Sequence, residues 1–270
     1  MTKDQLVQLQ FDGYAQTPML WEGELEGLNT FVNMVHRTGH YSALDDTKHI
    51  RLGKLIEQFV LFELGQNESI SILKANVQIF KDQITIGELD CLHQYLDQYI
   101  HLEIVYKFYL YDPSFPDELD RWIGPNRNDS LVQKLKKLRE KQLPLLYAPE
   151  TKTYMDKWGL DSSVFIQQLH FKAQLYVPIE MMGKEFSLVN NACVAGFYLL
   201  QNQLTDFQNH TFYIPGKLDW LVVPHSGVPW WPMDVFQEEI SELLSAKKSP
   251  LCWMKSPEGE MSKFFVVWWD

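Results

Sequence analysis

The strongest constraint on this chain is a run of three strand-like segments joined by turns too short for a crossover. KANVQIF (74–80), ITIGELDCLHQYL (84–96) and YIHLEIVYKFYLY (99–111) are rich in β-branched and aromatic side chains, which fit a pleated, half-buried surface. Only Lys81-Asp82-Gln83 and Asp97-Gln98 separate them. Parallel neighbours need a crossover of about a dozen residues or more, so these segments predict antiparallel hairpins.

Helical periodicity flanks the hairpins. RLGKLIEQFVLFEL (51–64) places Leu52, Leu55, Ile56, Phe59, Val60 and Phe62 on one broad apolar face, and Gly65 is a natural stop. SLVQKLKKLREKQL (130–143) turns Leu131, Leu135 and Leu138 inward and separates Lys134, Lys137 and Lys141 into a basic stripe. Asp129 or Asn126 offers this helix an N-cap acceptor, and Pro144 ends it. A further strand is expected at FKAQLYVP (171–178).

The remainder gives weaker signals. Residues 1–30 read as helical fragments broken by turns such as Phe11-Asp12-Gly13, and LPLLYAPETKTY (143–154) reads as a connection. GFYLLQ (196–201), TFYIP (211–215), LCWMK (251–255) and KFFVVWW (263–269) read as strands. PMDVFQEEISELLSAKK (232–248) reads as an amphipathic helix with Val235, Phe236, Ile240, Leu243 and Leu244 inward. The expected class is α+β. Three segments are expected: an N-terminal helical and loop extension (1–49), a central core (50–178) and an aromatic-rich α+β region packed on it (179–270). Composition changes most sharply near residue 145, and seven of the nine tryptophans lie beyond residue 150. They read as core packing first and as a stacking platform for bases or sugars second.

Composition closes several function classes. Lys plus Arg is 24 and Asp plus Glu is 35, a net charge of −11, so whole-molecule attraction to phosphate is absent and a general nucleic-acid coat is excluded. Three scattered cysteines without a CxxC pair predict neither a disulfide framework nor a thiolate zinc site. The opening MTKDQLVQLQFDG lacks a signal-peptide run, and FFVVWW is too short to span a bilayer, so a cytoplasmic protein without membrane contact is expected. There is no GxSxG elbow and no Gly-rich phosphate loop. His36, His40 and His49 with Asp45 and Asp46 lack the Glu of HExxH, and structural or surface roles are expected for them.

The chemistry-bearing segment is Gly87-Glu88-Leu89-Asp90. Side chains alternate along a strand, so Glu88 and Asp90 share a face. Two such carboxylates repel, and solvent or a bridging cation relieves them. Gly87 leaves room for close backbone approach. Glu103 and Lys107 share one face of the next strand, and hairpin pairing brings Asp90 near Glu103. Glu57 on the preceding helix adds a carboxylate if that helix packs over the sheet end. Acids beside a lysine suit Mg²⁺-assisted phosphodiester hydrolysis, in which hard oxygens hold the ion and the lysine orients water or offsets developing charge.

A helix with Glu, a hairpin with Asp, and a strand with Glu and Lys together resemble the PD-(D/E)XK nuclease superfamily. Its core runs helix, three strands, helix, strand. More closely, RLGKLIEQF, GELDCL, HLEIVYKFYLY, WIGPNRNDSLVQKL and EKQLPLL resemble an uncharacterised bacterial domain-of-unknown-function family associated with that nuclease-like clan. The nuclease-like likeness covers roughly residues 50–178, and the likeness to the uncharacterised family most of the chain. The resemblance implies a restriction-endonuclease-like core with Mg²⁺ or Mn²⁺ as cofactor and DNA as partner. It implies Asp90, Glu103 and Glu57 as metal ligands, Glu88 as auxiliary, and Lys107 as the water-orienting group.

The superfamily spaces its acid and lysine two residues apart, about 7 Å along a strand. Glu103 and Lys107 are four apart, about 13 Å. Val105 holds the intervening position and cannot ligate a metal. A bulge, a long lysine reach or a displaced carboxylate repairs such a site; a degenerate, non-catalytic core is the other explanation. Lys134, Lys137, Lys141, Arg127 and Gln142 are the expected nucleic-acid contacts. Plainer readings stay open: a solvated hairpin edge for Glu88 and Asp90, a cross-strand charge pair for Glu103 and Lys107, a solvent-facing position for Glu57, a soluble face for the lysines and a helix end for Gln142. So do a non-catalytic interaction or nucleic-acid-binding module and an enzyme acting on another phosphorylated substrate.

Overall fold

The structure, a computed structural model, describes residues 1–31, 40–41 and 50–269. In chain order its helices and strands are α1 (Lys3–Gln16), β1 (Glu24–Leu25), β2 (Leu28–Asn29), α2 (Leu52–Gly65), β3 (Ile70–Lys81), β4 (Ile84–Tyr95), β5 (Gln98–Tyr111) and β6 (Trp122–Ile123). They continue with α3 (Leu131–Lys137), α4 (Pro149–Trp158), β7 (Phe165–Pro178), β8 (Val194–Leu200), β9 (Thr211–Tyr213), α5 (Met233–Ser245), β10 (Leu251–Lys255) and β11 (Met261–Val267). The class is α+β with a mixed sheet. His36, His49, Asp45 and Asp46 lie outside the described residues.

The chain forms two compact units, neither of them one continuous stretch. One comprises Met19–Tyr106 and Gln133–Lys172; the other comprises Met1–Pro18, Lys107–Val132 and Ala173–Asp270. The first is called the hairpin unit below and the second the aromatic unit.

In the hairpin unit the strand order is β3-β4-β5-β7. The expected hairpins form, with β4 antiparallel to both β3 and β5. β3 and β4 stay paired from Ile70↔Tyr95 to Lys81↔Ile84. The β4–β5 ladder runs only from Tyr95↔Gln98 to Cys91↔Leu102. Buried Ile79, Leu89, Leu92, Leu145, Leu146, Met155 and Phe165 make one core of this unit. Helix α2 buries Leu55, Ile56, Phe59 and Val60 of the expected face together with Glu63 and Leu64, while Leu52 and Phe62 are half-buried.

The stretch expected to be a single helix over 130–143 changes winding twice. It is α-helical over Leu131–Lys137, π-helical over Leu138–Gln142 and 3₁₀ over Leu143–Tyr147. Helix α4 corrects the reading of 143–154 as a plain connection. Pro149 sits in its first turn, where a missing N–H costs nothing, and Gly159 closes it at φ 67°. The proline taken as a break is a start.

In the aromatic unit β7, β8 and β11 run parallel, and β10 is antiparallel to β11 and β9. Helix α5 brings Phe236 into a stack on Phe212, ring centroids 4.3 Å apart. Phe264, Met254, Cys252 and Ile240 complete that core. Trp253 is buried, as are Trp220 and Trp269, so in this unit these tryptophans pack rather than present a platform.

Helix α1 corrects the expectation of fragments broken at Phe11-Asp12-Gly13. Thr2 and Gln5 form a reciprocal capping box that starts it. The glycine is there for proximity: a Cβ on Gly13 would lie 2.0 Å from the Leu221 carbonyl oxygen. Among the described residues no helix is long and apolar enough to cross a membrane.

Candidate functional site: a buried carboxylate cluster on the β4–β5 hairpin

The cluster forms where the β4–β5 ladder stops. One step past Cys91↔Leu102, the acids take over the hydrogen bonding of the backbone. Asp90 Oδ2 accepts from Ile104 N at 2.8 Å. The Asp90 backbone N–H in turn donates to the Glu103 carboxylate. Two acids opposite each other thus bridge two strands at the point where those strands part.

Glu103 is the hub, and it is fully buried at 0% exposure. Its Oε1 lies 3.2 Å from His101 Nε2, and its Oε2 accepts from Gln142 Nε2 at 2.6 Å. Gln142 Oε1 accepts from Lys134 Nζ at 2.6 Å. On the other side Gln167 Nε2 donates to Leu143 O and lies 3.2 Å from His101 Nδ1. An amide N–H can only donate, so Nδ1 is the acceptor and His101 carries its proton on Nε2, aimed at Glu103. The result is a polar chain: Lys134, Gln142, Glu103, His101, Gln167.

A second group adjoins it. Lys54 Nζ donates to Glu57 Oε2 at 2.6 Å and to Glu88 Oε1. Lys54 and Glu57 are three apart on α2, so one turn of helix presents both. Gly87 beside Glu88 gives room to a side chain rather than to the backbone approach expected: a Cβ there would come 2.6 Å from Leu145 Cδ2.

The electrostatics mark these acids as unusual. Burial pushes the Asp90 carboxyl up to about 7; the Glu103 charge adds to this, while the Ile104 N–H and Lys134 oppose it. Burial likewise raises Glu103 to about 7 against the pull of Lys134, the Asp90 N–H and Gln142, with Glu57 adding repulsion. Glu57 reaches about 7 by burial despite its bond to Lys54, with Asp90 and Glu88 adding. For Lys54, burial pulls downward, but Glu57 and Glu88 outweigh it and hold the amine above its usual value. Burial drops His101 to about 4, so it is a neutral donor at neutral pH. Three carboxyls poised near neutrality in one place is the pattern of a functional site.

The expected site residues therefore divide. Glu57, Glu88, Asp90, Glu103 and Gln142 belong to this one constellation of the hairpin unit. Lys107 belongs to the aromatic unit, where its amine donates to Asp129 Oδ2 at 2.6 Å. The cations at the acids are Lys54 and Lys134 instead. Arg127 also lies in the aromatic unit, 2.9 Å from Asp112 Oδ2 and over the Trp269 ring. Lys137 and Lys141 are exposed. Asn126 Oδ1, a candidate cap, accepts from Ser249 N.

Sequence reasoning missed Lys54, Lys134 as an electrostatic partner of the acids, His101 and Gln167. Two of these had a signal: His101 precedes Glu103 by two on one strand face, and Lys54 precedes Glu57 by three on one helix. Among the described residues no group of three or more His, Cys, Asp or Glu is arranged to hold a metal ion.

Fold and cluster together define an α+β protein with a buried acid centre on an antiparallel hairpin. The chain belongs to the family described as domain of unknown function (DUF1853), whose model matches residues 1–267. No curated protein and no solved structure matches it.

Proposed function

We propose that the hairpin unit is a Mg²⁺- or Mn²⁺-dependent phosphodiester hydrolase of nuclease type acting on DNA, with a restriction-endonuclease-like core. The observation that carries this reading is the set of three carboxyls, Glu57, Asp90 and Glu103, each raised to about 7 within one buried cluster. Buried acids that repel one another lose that repulsion when a cation joins them. Their hard oxygens match the ion by donor chemistry. As they stand they are engaged by Lys54, His101, Gln142 and the Ile104 N–H, so Lys54 is the group an ion displaces. A bound divalent ion supplies charge neutralisation at a phosphate and a more acidic water.

The chain's own residues do the rest. Glu57, Asp90 and Glu103 would hold the ion, with Glu88 beside them, after drawing together from their present positions, in which no three of them are arranged for a metal. His101 and Gln142 fix the Glu103 carboxylate in orientation. Lys134 supplies the positive charge that the superfamily draws from the lysine of its acid–lysine pair. Lys137 and Lys141 are the exposed cations for backbone phosphates.

A second reading is a non-catalytic binding module on the same scaffold. It is favoured by Glu103 being wholly buried and by Lys107 being paired with Asp129. Plasmid and linear DNA incubated with Mg²⁺ or Mn²⁺ separate the two. Hydrolysis that Asp90→Asn and Glu103→Gln both abolish, with a metal-dependent rise in melting temperature lost in the same variants, supports the first. DNA binding without cleavage, and without any metal shift, replaces it with the second.

A further inference from the structure

A different feature, in the aromatic unit, has no part in this chemistry. Lys263 on β11 is buried, and its Nζ donates to Trp220 O at 2.8 Å, Leu221 O at 3.3 Å and Gln174 Oε1 at 3.2 Å. All three partners are neutral oxygens. Among the described residues no carboxylate lies within ion-pair distance of this amine, and no acid offsets its burial. The Gln174 oxygen is further occupied by the Tyr176 hydroxyl at 2.8 Å. A buried ammonium with hydrogen bonds but no counter-charge is costly, so the site lacks one negative charge.

Lys263 and two of the residues its amine bonds to, Gln174 and Leu221, line a cavity of about 310 Å³. Its walls are apolar at Pro18, Leu221 and Met261, with Gln16, Thr17, Gln174 and Ser262 as polar points, and among the described residues Lys263 is the only charged one lining it. An apolar cleft with few polar groups is the composition of a small-molecule site, and this volume sits at the low end of the range, roughly 300–1,000 Å³.

We propose that this cavity binds a small organic monocarboxylate with an apolar body, whose carboxylate becomes the counter-ion of Lys263. One cation calls for one negative charge. A phosphate would bring more charge and more acceptor oxygens than a single lysine without an arginine or a glycine-rich loop satisfies. The apolar walls take the remainder of the molecule. Burial lowers the amine to about 7, so the free site holds its proton only partly at neutral pH and gains it fully when the anion arrives. The ligand is a structural complement to the cavity and undergoes no reaction there.

Isothermal titration and thermal melting of the full chain with hexanoate and benzoate, against hexan-1-ol as the uncharged counterpart, test this. Saturable binding and stabilisation by the carboxylates, with the alcohol at least ten-fold weaker, is the expected result. Lys263→Met removes the charge while keeping the volume, and removes the carboxylate response. Ala195→Trp, at an exposed residue lining the cavity, fills its mouth with Lys263 intact and serves if the first variant fails to fold. The proposal is overturned if neither carboxylate binds the wild type, if the alcohol binds equally well, or if Lys263→Met or Ala195→Trp binds hexanoate as the wild type does.

Discussion

Gln142, the last residue of a π-helical turn, donates its side-chain amide to Glu103 Oε2 at 2.6 Å. The wider winding from Leu138 to Gln142 delivers that amide, and π-turns recur where a helix must re-aim one side chain. Gln142→Leu leaves Glu103 one donor short in a dry place. The expected cost is about 1–3 kcal/mol of folding stability. Urea unfolding at pH 8, where Glu103 is ionised, reads it, and a loss smaller than that of an exposed control such as Lys141→Leu disproves the role.

The raised acids set a pH dependence with a definite sign. An acid whose folded value is about 7 and whose unfolded value is ordinary stabilises the fold fully below the unfolded value. That contribution is lost as pH rises through 7. Buried His93 and His101, lowered to about 4, act oppositely: their contribution is present above the unfolded histidine value and lost as pH falls towards 4. The two effects oppose each other between about pH 4.5 and 6.5, and the buried Lys263 amine, lowered to about 7, titrates near neutrality as well, so the carboxyl contribution is read as the difference between the wild type and a Glu103 variant from about pH 4.5 to 8. Glu103→Gln removes on the order of 3 kcal/mol of that fall. Chemical denaturation of both proteins across this window measures it, and parallel profiles would refute the assignment.

Lys54→Met takes the amine from between Glu57 and Glu88. Under the hydrolase reading it removes the cation's competitor, so the rise in melting temperature produced by millimolar Mg²⁺ becomes larger than in the wild type. An unchanged or smaller rise means that the ion does not share these acids.

Two glycines are replaceable to different degrees. At Gly87 an added Cβ meets the flexible end of Leu145 at 2.6 Å, whereas at Gly13 it meets the Leu221 carbonyl at 2.0 Å. Gly87→Ala should cost about 1–3 kcal/mol and be rescued by Leu145→Val. Gly13→Ala should cost more and resist rescue by any side-chain change, because its obstacle is backbone. Guanidinium unfolding midpoints of the three variants decide it.

These contrasts show which parts of the fold were legible in the chain. The hairpins were, because period-two alternation and short polar turns are local properties. Helix α2 was, because its apolar face repeats over four turns. Helix α1 was hidden by Gly13, whose reason is a carbonyl more than two hundred residues away. Helix α4 was hidden by Pro149, read as a break and used as a start. In the candidate site the acids stood out because GELD and HLE alternate on strands. Their cations did not: a lysine's partner depends on where a long flexible chain is carried. The family resemblance pointed to Lys107 although its spacing from Glu103 did not fit, and Lys107 pairs with Asp129, while the acids meet Lys54 and Lys134.

Asp90 and Glu103 do the work of a ladder rung where β4 leaves β5. Their carbonyl-like oxygens hold the fork in the sheet whatever ion visits it. A descendant of this chain that abandoned chemistry could shed the negative charge at these two positions, but not the lone pairs. Drift there would run towards Asn and Gln and away from Ala or Leu, leaving the outline of an acid site in a protein with no use for one.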